Sequence, residues 1–321
     1  MTQSIVRQRG FTLLEIATAV TLLGILGFSL IGTFTPLLQA KTELATRERL
    51  NKIALALGAA YRVNARTVDA VATREFRLSP TLVIGNNTTA ANATTQATLA
   101  TIATFGQVSP SDLERDEYVG LHTYLISNPL SYAMPGGYNI VYRKIAIVSP
   151  GYNGTIDAGT TMDAATGNLT LAGDDLGVVV DGFQIQKDLT DRTVAAVNKM
   201  VNAYQNYFTN RYLANPTRDV SVDYFASAGT PLLRWDTAGV AGNSGAVFAD
   251  VSTLNFGPAL GLAASDMLDS YGTAIQVDNS SNIVRNPNNF AAAMQIPPYS
   301  ALIRAQLMGG QFYQQSAIGA F

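Results

Sequence analysis

Residues 11–40 are mostly apolar, and Glu15 is their only ionisable side chain; a basic stretch with Arg7, Arg9 and the small residue Gly10 stands directly before them. About 20 apolar residues suffice to cross a bilayer as a helix, so this run must be covered by lipid or by other apolar surface over much of its length. A secretory signal peptide has the opposite order, with its apolar core ahead of the small-residue cleavage site and lost with it. Here a cut after Gly10 would leave the apolar run in place. Arg7 and Arg9, with no acid beside them, put the leader in the cytoplasm and everything after residue 40 outside it.

The stretch Arg9-Gly10-Phe11-Thr12-Leu13-Leu14-Glu15 resembles the type IV pilin and pseudopilin family, whose leader peptidase cuts after a glycine followed by Phe-Thr-Leu-x-Glu. The resemblance implies cleavage between Gly10 and Phe11 by a prepilin peptidase, N-methylation of Phe11, and Glu15 as a residue of assembly. In the family the carboxylate at that position pairs with the terminal amine of a neighbouring subunit, here that of Phe11. An ionised carboxylate in hydrocarbon costs several kcal/mol, which such a pairing would offset; the plainer alternative is a side chain snorkelling to the headgroups. The resemblance also implies storage in the bacterial inner membrane with the head outside. Other pilin or pseudopilin subunits and an inner-membrane assembly platform are the expected partners.

With no cysteine, the head has no disulfide and relies on core burial, a bound ion or packing against other subunits. Removing Arg7 and Arg9 leaves 19 basic against 23 acidic residues, a formal charge of −4 instead of −2. That balance exerts no global pull toward nucleic acid.

The expected fold class is α+β: a long N-terminal helix, half membrane-embedded and half amphipathic, packed on an antiparallel β-sheet head. Leu44, Leu50, Ile53, Leu57 and Tyr61 continue a helical stripe to about residue 66, with Gly24, Gly27, Gly32 and Pro36 as weak points. Residues 81–104, rich in Thr, Ala and Asn, read as a loop. Residues 138–148 and 176–185 read as strands, and a helix follows with Asp188 or Thr190 as N-cap and Asn215-Pro216 as its stop. Residues 274–277 and 299–307 are further strand candidates, with Gly309-Gly310 ending the last one ahead of an uncharged tail. Leu50-Asn51-Lys52-Ile53 is echoed by Val197-Asn198-Lys199-Met200, which leaves open a tandem of two pilin-like units. The expected divisions are 1–10 leader, 11–66 helix, 67–187 first β-rich unit and 188–321 second helix plus β-rich unit.

The loop from Ser149-Pro150-Gly151-Tyr152-Asn153-Gly154 to Gly173-Asp174-Asp175-Leu176 is similar to the calcium-binding loop of major pseudopilins, although longer. That likeness makes Asn153, Asp157, Asp163, Asp174 and Asp175 candidate calcium ligands, since hard cations take about 6 to 8 oxygens; turn formation is the other use of such residues.

Catalysis finds little material. His122 is the single histidine, and Ala246 spoils the Gly-x-Ser-x-Gly pattern around Gly242-Asn243-Ser244-Gly245. Asp112, Glu114, Asp116 and Glu117 read as a solvated helix start. The reading is a non-enzymatic, minor filament subunit of a type IV pilus or type II secretion pseudopilus; the alternative is a membrane-anchored adhesin or substrate-binding head at a filament tip.

Overall fold

The computed structural model describes residues 13–222, 224–225, 248–251, 257–278, 299–319 and 321. Helix α1 (Leu13–Val63) is followed by α2 (Ala65–Asp69), strands β1 (Glu75–Arg77), β2 (Val83–Gly85) and β3 (Thr88–Thr89), then α3 (Ala93–Gly106) and α4 (Pro110–Glu114). Strands β4 (Thr123–Ile126), β5 (Leu130–Ala133), β6 (Asn139–Tyr142), β7 (Lys144–Ser149), β8 (Thr161–Met162), β9 (Leu169–Thr170) and β10 (Leu176–Asp181) lead into α5 (Gly182–Ala214). The second half holds β11 (Ala249–Asp250), α6 (Gly257–Leu260), β12 (Gln276–Asp278), β13 (Ser300–Gln306) and β14 (Phe312–Ile318).

The chain is α+β, and its two main sheets are antiparallel and built alike. The first has the order β10-β7-β4-β3 and the second β11-β12-β13-β14, so each is a four-stranded meander following one long helix. Leu50, Ile53, Leu57 and Tyr61 form the buried stripe of α1 against the first sheet. Val197, Met200, Tyr204 and Phe208 do the same for α5 against the second. The short sequence echo therefore marks corresponding core positions. Leu189 still belongs to the first core and Val197 to the second, so α5 passes from one to the other.

Close approaches fix the helices. A Cβ at Gly106 would fall 2.1 Å from that of Ala56, which lets α3 cross α1 almost backbone to backbone. At the start of α5, Gly182 sits under Tyr61, where a Cβ would lie 2.1 Å from the phenolic oxygen, and Asp181 caps the helix through the N–H of Phe183 at 2.9 Å.

Several expectations are corrected. Residues 81–104 are not a loop: Asn92 caps α3 by accepting the N–H groups of Thr94 and Thr95, and Thr95, Thr98, Leu99 and Ile102 face the core. Its polar composition hides this, because Thr98, Thr101 and Thr104 turn their hydroxyls onto carbonyls of their own helix. The stretch 138–148 is two strands, broken at Arg143. The strand from Leu176 ends at Asp181, and α5 begins there instead of at Asp188 or Thr190. Gly309 and Gly310, with φ of 71° and 74°, form a turn into β14, not the start of a tail. Helix α1 continues through Pro36 without a break. Asp116 is buried instead of solvated: it accepts the N–H of Gly120 at 2.7 Å and the hydroxyl of Ser149 at 2.5 Å. Residues 242–245 lie outside the described residues.

Candidate functional site

The first half of α1 projects from the head as an apolar rod. Leu13, Leu14, Leu22, Leu23, Leu37 and Leu38 are all 60% exposed or more, and adjacent residues point to different sides of a helix, so the rod is apolar all round. Its polar groups are turned inward: Thr18 and Thr21 donate to the carbonyls of Leu14 and Ala17 at 3.0 and 2.8 Å. The hydroxyl of Tyr118 ties the root of the rod to the head, on the carbonyl of Gln39 at 3.2 Å. Glu15 lies in the first turn of α1. Gly10 and Phe11, the processing residues, fall outside the described residues. Among the described residues no helix is long and apolar enough to cross a membrane; side chains at several positions from 26 to 33 are not in that set.

The candidate calcium loop lies beside the root of the rod. Asn153, Asp174 and Asp175 line a cleft of about 590 Å³ together with Gln39, Glu43 and Arg47 of α1. Asp174 accepts the N–H of Asn153 at 2.8 Å, and Asp175 accepts the N–H of Asp157 at 2.9 Å and the Thr160 hydroxyl at 2.5 Å. Asp163 belongs to a different turn, at the tip of the β8–β9 hairpin, where it accepts the N–H groups of Ala165 and Thr166. One oxygen of Asp175 is buried without a partner, the single feature here suited to a cation. Among the described residues, however, no three His, Asp or Glu side chains gather as ligands. In the structure, which holds no ion, Asp174 and Asp175 fasten the loop to itself by holding the backbone N–H groups of Asn153 and Asp157.

No relay for nucleophilic catalysis is wired among the described residues. His122 is buried, its Nδ1 3.1 Å from the carbonyl of Leu113 and its Nε2 without a partner. Burial lowers its pKa, which keeps the ring neutral. The Ser149–Asp116 pair makes no hydrogen bond to it. Asp112 and Glu117 are ion-paired with Arg49 of α1 and hold α4 to that helix.

A buried polar junction escaped the sequence reading. The fully buried Arg143 donates to the carbonyls of Val68 at 3.1 Å, Thr73 at 2.6 Å and Ser127 at 3.4 Å, and also to that of Val71. Its Nε lies 3.7 Å from Asp69, which receives the Tyr61 hydroxyl at 2.8 Å and the Gln186 amide at 2.5 Å. Tyr61 in turn accepts the backbone N–H of Arg143, at 2.8 Å. Tyr271 donates to Gln186 at 2.9 Å, while Arg66 reaches Asp269 and the carbonyl of Gln306, both at 3.0 Å. Burial pushes the Asp69 carboxyl up to about 7, against the pull of Gln186, Tyr61 and Arg143. The junction thus ties α1, α2, α5 and the link between β6 and β7 to the second unit. Its one sequence signal is an arginine interrupting an otherwise strand-like run.

Comparison of the chain with protein-family models, curated proteins and solved structures gave no match.

Proposed function

We propose that this chain is a filament subunit of the type IV pilus or type II secretion pseudopilus class. On this reading prepilin peptidase cuts it between Gly10 and Phe11, and the rod holds it in the bacterial inner membrane until it joins a filament. The observation that carries this is in the sequence: residues 11–40 hold Glu15 as their only ionisable side chain, directly after Arg9-Gly10, and about 20 apolar residues suffice to span a bilayer core as a helix. Other rods of the same kind can replace lipid as its cover once subunits assemble. Glu15 sits where its charge would be costly in hydrocarbon, so an amine brought by a neighbour's Phe11 favours assembly over storage. The double-unit head, large for a simple repeating subunit, fits a minor, non-enzymatic component.

Gly10→Val is expected to block removal of the leader, because the peptidase must accept a very small side chain beside the cut. Intact-mass measurement would find residues 1–10 retained in the variant and absent from the wild type; a wild-type filament protein that still carries Met1 would overturn the reading. Glu15→Val removes a charge from the apolar run, so membrane insertion is expected to be at least as efficient. Sheared filaments should nonetheless contain the variant at a tenth of the wild-type amount or less. Equal amounts in the filament fraction would rule out the pairing with Phe11.

A further inference from the structure

Strand β14 is the outer strand of the second sheet among the described residues. It is seven residues long, pairs with β13 without a bulge, and reads Phe-Tyr-Gln-Gln-Ser-Ala-Ile, with no charge and no proline. Natural sheet edges are guarded by lysine, proline, bulges or extreme shortness; β11, at the opposite edge, has only two residues, whereas β14 has none of these devices.

The direction of its backbone groups follows from the ladder. Gly319 donates its N–H to Tyr299, and Gln311 accepts the N–H of Leu307, so the odd-numbered residues face β13. Phe312, Gln314, Ser316 and Ile318 consequently turn their N–H and C=O groups outward. A second copy of the same strand fits this edge. Laid antiparallel and centred on Gln315, two β14 strands set Phe312 opposite Ile318 and Gln314 opposite Ser316, so every outward residue falls in a hydrogen-bonded pair. Phe312 and Ile318, exposed by 41% and 53%, then cover each other across the new contact. With no charge on the strand, no like charges oppose one another.

We propose that β14 is a homotypic pairing edge that joins two copies of this chain about a two-fold axis at Gln315, making the two four-stranded sheets one continuous antiparallel sheet. The pairing is independent of how the rod is covered.

The chain lacks cysteine, so single introduced thiols report the register directly. In the full-length protein in detergent, Gln315→Cys is expected to form a disulfide dimer under mild oxidation. Position 315 meets its own copy in a non-hydrogen-bonded pair, with Cα atoms about 4.5 Å apart. Gln314→Cys should stay monomeric on a non-reducing gel, since its copies lie about 8 Å apart. Adding Ser316→Pro to Gln315→Cys removes one outward N–H and leaves the β13 ladder intact, so crosslinking should fall at least tenfold while the melting temperature holds. Equal crosslinking at 314 and 315 would overturn the proposal, as would no crosslink at 315 in protein of unchanged melting temperature, or a crosslink that survives Ser316→Pro.

Discussion

Replacing Arg143 with methionine is expected to lower the unfolding free energy by about 3–5 kcal/mol, enough to unfold much of a marginally stable head. Methionine approximates the length of the arginine stem but offers nothing to the carbonyls of Val68, Val71, Thr73 and Ser127, of which those of the buried Val68 and Ser127 lose their donor away from solvent. Above pH 7, where Asp69 is ionised, it also leaves that carboxylate buried without its counter-charge. Denaturant titration of the full chain in detergent would measure the loss. Adding Asp69→Asn should recover part of it, because the uncompensated carboxylate is then gone, and a non-additive double-mutant cycle is the expected signature. A single variant with a wild-type midpoint would show that the carbonyls are satisfied by other means.

Stability should also fall as pH rises through neutrality, and Asp69 is the reason. Its carboxyl is raised from 3.8 to about 7 in the fold, so the native state holds a proton that the unfolded chain has released. The contribution is fully present below the unfolded value of 3.8 and is lost as pH passes 7. A difference of roughly three pKa units corresponds to about 4 kcal/mol as an upper figure. His122 works in the opposite direction: its lowered pKa means that acid favours the unfolded chain, which takes up the proton more readily. Comparing wild type with Asp69→Asn at pH 5 and pH 8 isolates the carboxyl from the histidine. The variant should lose the extra stability at pH 5; parallel pH curves for the two proteins would refute the assignment.

The long helix, the strands after residue 273 and the correspondence of Leu50 and Ile53 with Val197 and Met200 were legible because apolar periodicity survives in the chain. Helix α3 was not, because threonines that satisfy themselves within a helix look in sequence like threonines of a loop. The strand break at Arg143 was missed because β-branched neighbours on both sides carry the same propensity. The junction was illegible for a deeper reason: Tyr61, Asp69, Arg143, Gln186 and Tyr271 are spread over 210 positions, and no local pattern links groups that meet only when two units close. The acids of the loop illustrate the converse. Their composition suits ligands and turn formers alike, and which oxygen faces a backbone N–H is decided by the turn, as it is for Asp163 and Asp175.

The passage of α5 through both cores makes that helix a mechanical link between the two sheets. Tension on the rod enters through α1 and crosses to α5 where Tyr61 meets Gly182 and Gln186 bonds Asp69. A second route runs from α2 directly, through Arg66 on the carbonyl of Gln306 in β13. The far sheet thus shares a pull applied to the near one, and both routes set out from the stretch between Tyr61 and Asp69. A head built this way passes tension through its middle to both sheets at once.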